Sequence, residues 1–176
     1  MPSAVLYIFS GLPGVGKSTL AQLLARHTHS VYVRIDTIEQ GIRDLCHLQV
    51  EGEGYRLAYR LAHDNLLLGN PVIADSCNPI ALTRAEWQQV ASDAGARFHN
   101  IEVVCSDLAE HEQRVRSRAS PIPHLQLPDW SQVRNRDYEP WDTTVIRVDT
   151  AGQSVAEAFA ELCAKLMLDA AHAPTR

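Results

Sequence analysis

The sequence lacks several features that would assign it to a special class of protein. No apolar stretch approaches the roughly 20 residues that a membrane-spanning helix requires, and the first apolar run lacks the basic flank of a secretory signal. The formal net charge is -5 and the pI is near 5.9, which gives no general attraction to nucleic acid or to an anionic membrane. We therefore expect a soluble cytoplasmic protein that has no membrane partner and does not act on long nucleic acids.

Paired cysteines are also missing. The four cysteines lie far apart in the sequence, at Cys46, Cys77, Cys105 and Cys163. No two of them have the spacing of metal ligands or of a redox motif, and His111 and His124 form no metal set with them. We expect ordinary reduced thiols.

What the sequence does contain is enough material for one α/β domain. Its 176 residues, of which 45% are hydrophobic, are too few for two comfortable domains, so we expect a single domain over residues 1–176. Short apolar runs alternate with longer segments of helical periodicity, which is typical of a parallel sheet covered by helices on both faces. The predicted strands are residues 4–10, 31–35, 71–75, 100–105 and 144–148.

Helix boundaries have signals of their own. Three pairs match the capping-box pattern and predict helix starts: Thr83 with Glu86, Asp107 with Glu110, and Ser154 with Glu157. Gly95 is placed to end a helix.

Residues 119–142 interrupt the alternation of strands and helices. This segment contains four prolines together with Trp130, Tyr138 and Trp141. A loop of this length in a compact domain is usually a lid or a binding loop. The three aromatic side chains either stack on a substrate or fix the loop to the core.

The strongest signal is the octapeptide at residues 11–18, which matches G-x-x-x-x-G-K-[ST] between a predicted strand and a predicted helix. Its glycines allow consecutive amides to face phosphate oxygens. Lys17 would bring a mobile positive charge to the phosphates, and Ser18 would give a hydroxyl to magnesium. We therefore expect ATP with magnesium as the cofactor, bound through Gly11, Leu12, Pro13, Gly14, Val15, Gly16, Lys17, Ser18 and Thr19.

Asp36 follows the second predicted strand, at the edge where open α/β sheets bind ligands. Its carboxylate would there orient an acceptor hydroxyl or act as its general base. Asp36 and Glu39 also match a capping box, so the alternative is a helix cap with no catalytic role. Arg43, further along the same predicted helix, would contact substrate or solvent.

Asp75 ends the third predicted strand, which is the layout of a residue that holds magnesium directly or through water. A helix cap is the alternative for Asp75. Asn78, just before Pro79, would cap a turn or contact substrate, and Arg84 would contact substrate or solvent.

Three arginines near the end of a predicted helix lead into the irregular segment: Arg114, Arg116 and Arg118. Glu110 and Glu112 stand four residues before the first two and predict ordinary ion pairs. Arg118 instead has Arg114 four residues before it, which is unfavourable unless an anion such as a transferring phosphoryl group lies between them. Compensation of the helix dipole is the alternative for all three.

Several of these segments occur in an order that resembles a known family. They are the glycine-rich loop, residues 34–37, residues 72–79 followed by Arg84, residues 114–118, and the run Val148, Asp149, Thr150. The order resembles the small P-loop kinases often labelled AAA-type ATPase-like proteins, relatives of gluconate kinase, chloramphenicol phosphotransferase, zeta toxin and polynucleotide kinase, and it covers nearly the whole chain.

The resemblance implies a three-layer α/β/α P-loop NTPase fold, with a five-stranded parallel sheet in the order 2-3-1-4-5 and a mobile arginine-bearing lid at about residues 111–142. It also implies that adenine lies near Arg114, Asp149 and Thr150, and that Asp36 is the base. The distance in sequence from Asp36 to Arg43 exceeds the Asp-x-x-Arg spacing of polynucleotide kinases, which argues against a nucleic-acid end as acceptor. A chain of 176 residues also leaves no room for the second domain of a hexameric motor.

These observations lead us to expect a kinase that moves the γ-phosphoryl group of Mg-ATP to a hydroxyl of a small molecule. Lys17, Asp36, Arg114 and Arg118 would position the reactants and stabilise charge. A kinase acting on nucleotides or RNA 5′ ends is favoured instead if the lid and the rim around Asp36 form one basic groove. A nucleotide-binding switch is favoured if Asp36 points away from the site as a cap.

Overall fold

A five-stranded, all-parallel sheet is the centre of the computed structural model, which describes residues 4–168. Its strands are β1 (Val5–Ser10), β2 (Val31–Arg34), β3 (Val72–Asp75), β4 (Arg97–Val104) and β5 (Ile146–Asp149). Their order in the sheet is β2-β3-β1-β4-β5. The α/β fold and the strand order implied by the resemblance are confirmed.

Seven helices lie within the described residues 4–168. They are α1 (Lys17–Thr28), α2 (Ile35–Cys46), α3 (Glu53–Leu67), α4 (Ala81–Asp93), α5 (Leu108–Ser117), α6 (Trp130–Arg134) and α7 (Val155–Lys165). No helix among these residues is both long and apolar enough to cross a membrane. The four cysteines are free thiols, as expected.

The sheet is buried on both faces, because side chains alternate along each strand. In β1, Tyr7 and Phe9 pack into a cluster with α1 and α7, whereas Leu6 and Ile8 pack into a second cluster with α3 and α4. β1 therefore joins the two cores, and its carboxyl end is held rigidly where the glycine-rich loop begins.

The helix signals had mixed outcomes. Ser154 and Glu157 form the predicted capping box at the start of α7, and Gly95 lies just after α4 with a φ of 64°. Asp107 caps α5 by accepting from the amides of Ala109 and Glu110, but without a reciprocal bond from Glu110.

The prediction that Thr83 begins a helix is wrong. α4 begins at Ala81, and the Thr83 hydroxyl donates to the Ile80 carbonyl inside the first turn. The Ala81 amide is instead satisfied by the Glu139 carboxylate at 2.5 Å. Glu139 is distant in sequence, so this cap is a tertiary contact that no local pattern contains.

The irregular segment is less irregular than predicted. Asp129 and Gln132 form a capping box, and the short helix α6 follows from Trp130 to Arg134. The chain is otherwise without regular structure from Arg118 to β5 apart from turns. The structure thus divides the predicted lid into an arc at residues 118–128, a short helix, and a return segment at residues 135–145.

Candidate active site

The glycine-rich loop between β1 and α1 has a backbone shape that only glycine adopts readily. Gly11, Gly14 and Gly16 have φ values of 142°, 89° and 93°. A Cβ on Gly14 would also lie 2.5 Å from a methyl group of Val115 on α5. The loop is therefore shaped both by backbone conformation and by close packing against α5.

Two neighbouring elements brace this loop from outside. The Thr150 hydroxyl, just after β5, donates to the Val15 carbonyl at 2.8 Å and accepts from Arg114 Nη1 at 2.8 Å. His111 Nε2 on α5 lies 2.9 Å from the Pro13 carbonyl. The loop conformation thus depends on contacts from β5 and α5, and Arg114 is fixed beside it.

Lys17 is held by a buried carboxylate. Its ammonium group lies 2.6 Å from Asp75 Oδ1, and the Tyr32 hydroxyl donates to Asp75 Oδ2 at 2.5 Å. Burial raises the pKa of Asp75, but the Lys17 charge and hydrogen bonds from Lys17, Tyr32 and Ser18 outweigh it and hold that pKa below its usual range. Burial and the Asp75 charge raise the pKa of Tyr32, so its hydroxyl remains a donor.

Asp36 lies in the first turn of α2, one residue inside the helix. The N-cap position is occupied by Arg34, and no side chain caps this helix. The capping alternative for Asp36 is therefore wrong. Its carboxylate is 52% exposed and lies 3.5 Å from Arg34 Nη2, which leaves it accessible to a ligand.

A cavity of about 1120 Å³ brings most of the predicted site residues together. The glycine-rich loop and Lys17 form one wall, α2 forms a second, and the lid arc forms a third. The predicted residues on its walls are Gly11, Leu12, Pro13, Gly14, Gly16, Lys17, Ser18, Thr19, Asp36, Arg43, Arg114, Arg118 and Thr150.

The lid arc extends across this cavity towards α2. His124 Nδ1 lies 3.3 Å from the Asp44 carboxylate, which also accepts from Gln40 at 2.8 Å. Arg118 Nη2 donates to the Pro128 carbonyl at 3.1 Å, joining the two ends of the arc. The cavity is therefore partly covered, and its size suits small ligands.

Arg84 lies outside the cavity, so its predicted contact with substrate is wrong. The side chain is buried, and its guanidinium lies over the rings of Tyr138 and Trp141, 5.0 and 4.3 Å from their centroids. Its N–H groups donate to four carbonyls: those of Asn78, Pro79, Glu139 and Pro140. Arg84 therefore fixes the return segment of the lid to α4, and the rings of Tyr138 and Trp141 pack on its guanidinium group.

Asn78 is also away from the cavity walls. It is fully buried with a φ of 44°, and its Nδ2 donates to the Phe9 carbonyl at 2.8 Å. Its side chain joins the loop after β3 to the end of β1. The substrate contact predicted for Asn78 is therefore wrong, and its turn-forming alternative fits the geometry.

Three further predicted residues stand behind the cavity walls. The Val15 side chain is in the core, and only its backbone belongs to the loop. Asp75 lies behind Lys17, and Asp149 accepts from the amides of Ser106 and Ala151 at 3.0 Å each. Asp149 thus shapes the turn that presents Thr150, without itself lining the cavity.

The arginines of α5 behave partly as predicted. Arg114 pairs with Glu110 and Arg116 pairs with Glu112. α5 ends at Ser117, however, so Arg118 leaves the helical face it was expected to share with Arg114. Arg118 and Arg114 nevertheless both line the cavity.

Sequence reasoning missed several polar residues on the cavity walls. They include Gln22, Arg34, Gln40, His124 and Arg136. Glu39 is also on the wall, although the sequence had indicated it only as a capping partner of Asp36. Arg34 is the last residue of β2 and stands two residues before Asp36, which was a usable signal. Arg136 follows α6, and only the path of the lid brings it to the cavity.

The AAA domain family profile matches residues 6–136. The chain belongs to this family. No curated protein matches this AAA domain at a significant level of sequence similarity.

Solved structures share the fold of this AAA domain over almost its whole length. A proposed kinase from Chloroflexus aurantiacus is 22% identical, with a TM-score of 0.69 over 95% of this chain and 98% of its own. A gluconokinase from Sinorhizobium meliloti is 15% identical, with a TM-score of 0.67 over 95% and 94%. The Mycobacterium tuberculosis APS kinase CysC, solved with AMPPNP and APS, is 24% identical, with a TM-score of 0.65 over 95% and 99%. The fold is therefore that of small P-loop kinases.

Proposed function

We propose that this protein is a kinase that transfers the γ-phosphoryl group of Mg-ATP to a hydroxyl group of a small molecule. The observation that carries the proposal is the single cavity of about 1120 Å³ whose walls include both Lys17 and the exposed carboxylate of Asp36. A phosphate-binding loop and an exposed carboxylate facing one partly covered space are the parts that phosphoryl transfer requires.

The nucleotide would occupy the part of the cavity formed by the glycine-rich loop, Arg114 and Thr150. Loop amides and Lys17 would bind the phosphates, and adenine would lie towards Arg114 and Thr150. The APS kinase neighbour was solved with AMPPNP, which is consistent with ATP as the nucleotide. An enzyme of this kind would draw on cytoplasmic ATP, so we retain the cytoplasm as its expected location.

Magnesium fits the oxygen donors beside Lys17. Ser18 lines the cavity beside Lys17, and the Asp75 carboxylate lies behind Lys17, so hard oxygen donors stand next to the phosphate site. Because both Asp75 oxygens already accept hydrogen bonds, Asp75 would act through water and Ser18 would bind the ion directly. Bound magnesium would neutralise charge on the phosphates.

Asp36 would orient the acceptor hydroxyl and accept its proton. The oxygen of that hydroxyl forms a bond to the γ-phosphorus while the bond to the β–γ bridging oxygen breaks, and ADP leaves with the bonding electrons. Arg118, on the lid side of the same cavity, would stabilise charge on the transferring group. The placement of Asp36 inside α2 removes the observation that would have favoured the switch alternative, a capping aspartate that points away from the site.

A second candidate is supported by one specific observation. Arg34, Arg43, Arg118 and Arg136 line the same cavity as Asp36, so the lid and the rim form the basic groove that a kinase for nucleotides or RNA 5′ ends would need. The lid arc covers this groove through His124 and Asp44, which favours a small acceptor over a polymer.

ADP release from Mg-ATP, measured against a panel of acceptors, tests the proposal. The panel comprises sugars, sugar acids, nucleosides, nucleotides, hydroxyl-bearing antibiotics and RNA oligonucleotides with a 5′ hydroxyl. Stimulation by one class of small molecule is the expected result. Slow release that no addition changes would contradict the kinase proposal, and stimulation by RNA alone would support the second candidate.

A further inference from the structure

The cavity that contains Asp36 carries more positive than negative charge on its walls. Its walls include Arg34, Arg43, Arg118 and Arg136, against the two carboxylates of Asp36 and Glu39. This concentration is local, because the whole chain has a formal net charge of -5. The excess therefore belongs to the cavity and not to the protein as a whole.

Two of the four arginines are compensated by carboxylates. Arg34 lies 3.5 Å from Asp36 and 3.9 Å from Asp75, and Arg43 lies 3.2 Å from Glu39. Asp36 and Glu39 are therefore each already paired with an arginine. Burial raises the pKa of Glu39, and the nearby Arg43 charge opposes that effect.

The other two arginines have no such compensation. Within residues 4–168, neither Arg118 nor Arg136 has a carboxylate oxygen within ion-pair distance of its guanidinium. Arg118 donates to the Pro128 carbonyl, but its Nε is buried without a hydrogen-bond partner. Burial lowers the pKa of Arg118, which the Asp36 carboxylate opposes and the nearby Arg136 charge reinforces.

Arg118 is half-buried and Arg136 is exposed, and the guanidinium group of each is able to donate to an anion in the cavity. The transferring phosphoryl group would compensate Arg118, but a neutral acceptor, such as an unmodified sugar, would give Arg136 no anionic partner. A carboxylate, sulfate or phosphate on the acceptor would accept hydrogen bonds from the Arg136 guanidinium. The lid wall that carries Arg136 would therefore favour an anionic acceptor over a neutral one.

We propose that the acceptor carries an anionic group, which Arg136 binds while Arg118 stabilises the transferring phosphoryl group and Asp36 faces the hydroxyl to be phosphorylated. The proposal concerns a small organic acid or phosphate ester and deepens the kinase function proposed above. Arg136 is its specificity residue, because it lines the cavity from the lid and has no role in the phosphate-binding loop. Anion binding at Arg136 can be measured without turnover, so its failure is distinguishable from failure of the kinase proposal.

The first test measures binding. Protein saturated with AMPPNP and magnesium, so that the glycine-rich loop is filled, is titrated with sodium sulfate by calorimetry against sodium chloride of matched ionic strength. The wild-type complex should bind one sulfate, and Arg136→Gln should weaken that binding at least tenfold. Arg134→Gln is the matched control, because Arg134 lies against the Trp130 ring outside the cavity. Absence of sulfate binding by the wild-type complex, or equal binding by both variants, would overturn the anion site.

The second test compares acceptors in pairs that differ in charge: gluconate with glucose, a sugar phosphate with its sugar, and a nucleoside monophosphate with its nucleoside. We expect the anionic member of one pair to have a kcat/KM at least tenfold higher. Arg136→Gln should raise its acceptor KM while the KM for ATP stays within twofold. Preferred turnover of a neutral member, insensitive to Arg136→Gln, would refute the anion proposal and leave the kinase standing. Sulfate binding at Arg136 without any stimulated ADP release would refute the kinase and leave the anion site.

Discussion

The ammonium group of Lys17 lies 2.6 Å from the Asp75 carboxylate, which is fully buried at the end of β3. The charge that would bind phosphate is thus held by a partner inside the sheet. This pair keeps Lys17 at the mouth of the cavity, where its side chain is 12% exposed, and phosphate binding would have to compete with Asp75 for it.

The first prediction concerns Asp36. Asp36→Asn should lower kcat for phosphoryl transfer by about 100-fold or more, because the amide cannot accept the acceptor proton. The dissociation constant of ATP and the midpoint of thermal unfolding should stay close to wild type, since Asp36 neither caps α2 nor belongs to the phosphate-binding loop. Asp64→Asn, an exposed change on α3, serves as the control. Parallel losses of stability and ATP binding would show that Asp36 acts structurally.

The second prediction separates two glycines with positive φ. Gly14→Ala combines an unfavourable φ with a Cβ 2.5 Å from Val115, so it should destabilise the fold by at least about 2 kcal/mol and weaken ATP binding. Gly152→Ala has the same kind of φ but open space around its Cβ, so it should cost about 1 kcal/mol and leave ATP binding intact. Urea unfolding and nucleotide titration measure both effects. Equal results for the two variants would contradict the packing argument.

The third prediction concerns the hydrogen bond from Tyr32 to Asp75. Tyr32→Phe leaves one oxygen of a buried carboxylate with one donor fewer, so the free energy of unfolding should fall by about 1–3 kcal/mol. Tyr59→Phe is the matched control, because the Tyr59 hydroxyl donates to Glu86 at the surface and its loss should cost little. Equal effects of the two changes on urea unfolding would contradict the contribution assigned to the buried hydrogen bond.

The fourth prediction is a pH dependence that originates at Asp75. Its pKa in the folded protein lies below the value of about 3.9 expected in the unfolded chain. Asp75 therefore contributes stability above that unfolded pKa, and the contribution is lost as the pH falls through the folded pKa. The free energy of unfolding should decline on acidification below about pH 4, and the decline should be shallower in Asp75→Asn. Asp64→Asn should keep the wild-type slope, and an unchanged slope in Asp75→Asn would exclude this origin.

The fifth prediction assigns Arg84 to stability. Arg84→Lys removes the planar set of donors that binds four carbonyls, so it should destabilise the fold by about 2 kcal/mol or more. Wherever the variant remains folded, its acceptor KM should match that of the wild type. Arg56→Lys, on the exposed face of α3, is the control for the same chemical change. A raised acceptor KM without loss of stability would restore the substrate-binding interpretation.

The half of the site that binds phosphate was predictable from the sequence, because its information is local. Lys17 and Ser18 belong to an eight-residue pattern whose glycines dictate the backbone shape, and the strand before it and the helix after it have clear periodicity. The strand order followed from the family resemblance and not from any local pattern.

The half of the site that would bind the acceptor depends on contacts between segments that are distant in sequence. Arg84 was misassigned because its partners, the carbonyls after α6 and the rings of Tyr138 and Trp141, are more than 50 residues away in sequence. Arg136 was overlooked for the same reason. The capping box of Asp129 and Gln132 was a local signal that could have predicted α6.

The cavity is lined by five arginines but only one lysine, and this imbalance has a practical consequence. Lys17 and Lys165 are the two lysines of the sequence, and Lys165 lies at the end of α7, bonded to the Arg147 carbonyl. Amines react with acylating reagents, whereas guanidinium groups stay protonated and inert. An acylating analogue of ATP would therefore find a single amine in the cavity, and the mass of the tryptic peptide that contains Lys17 would report whether a nucleotide occupies the protein.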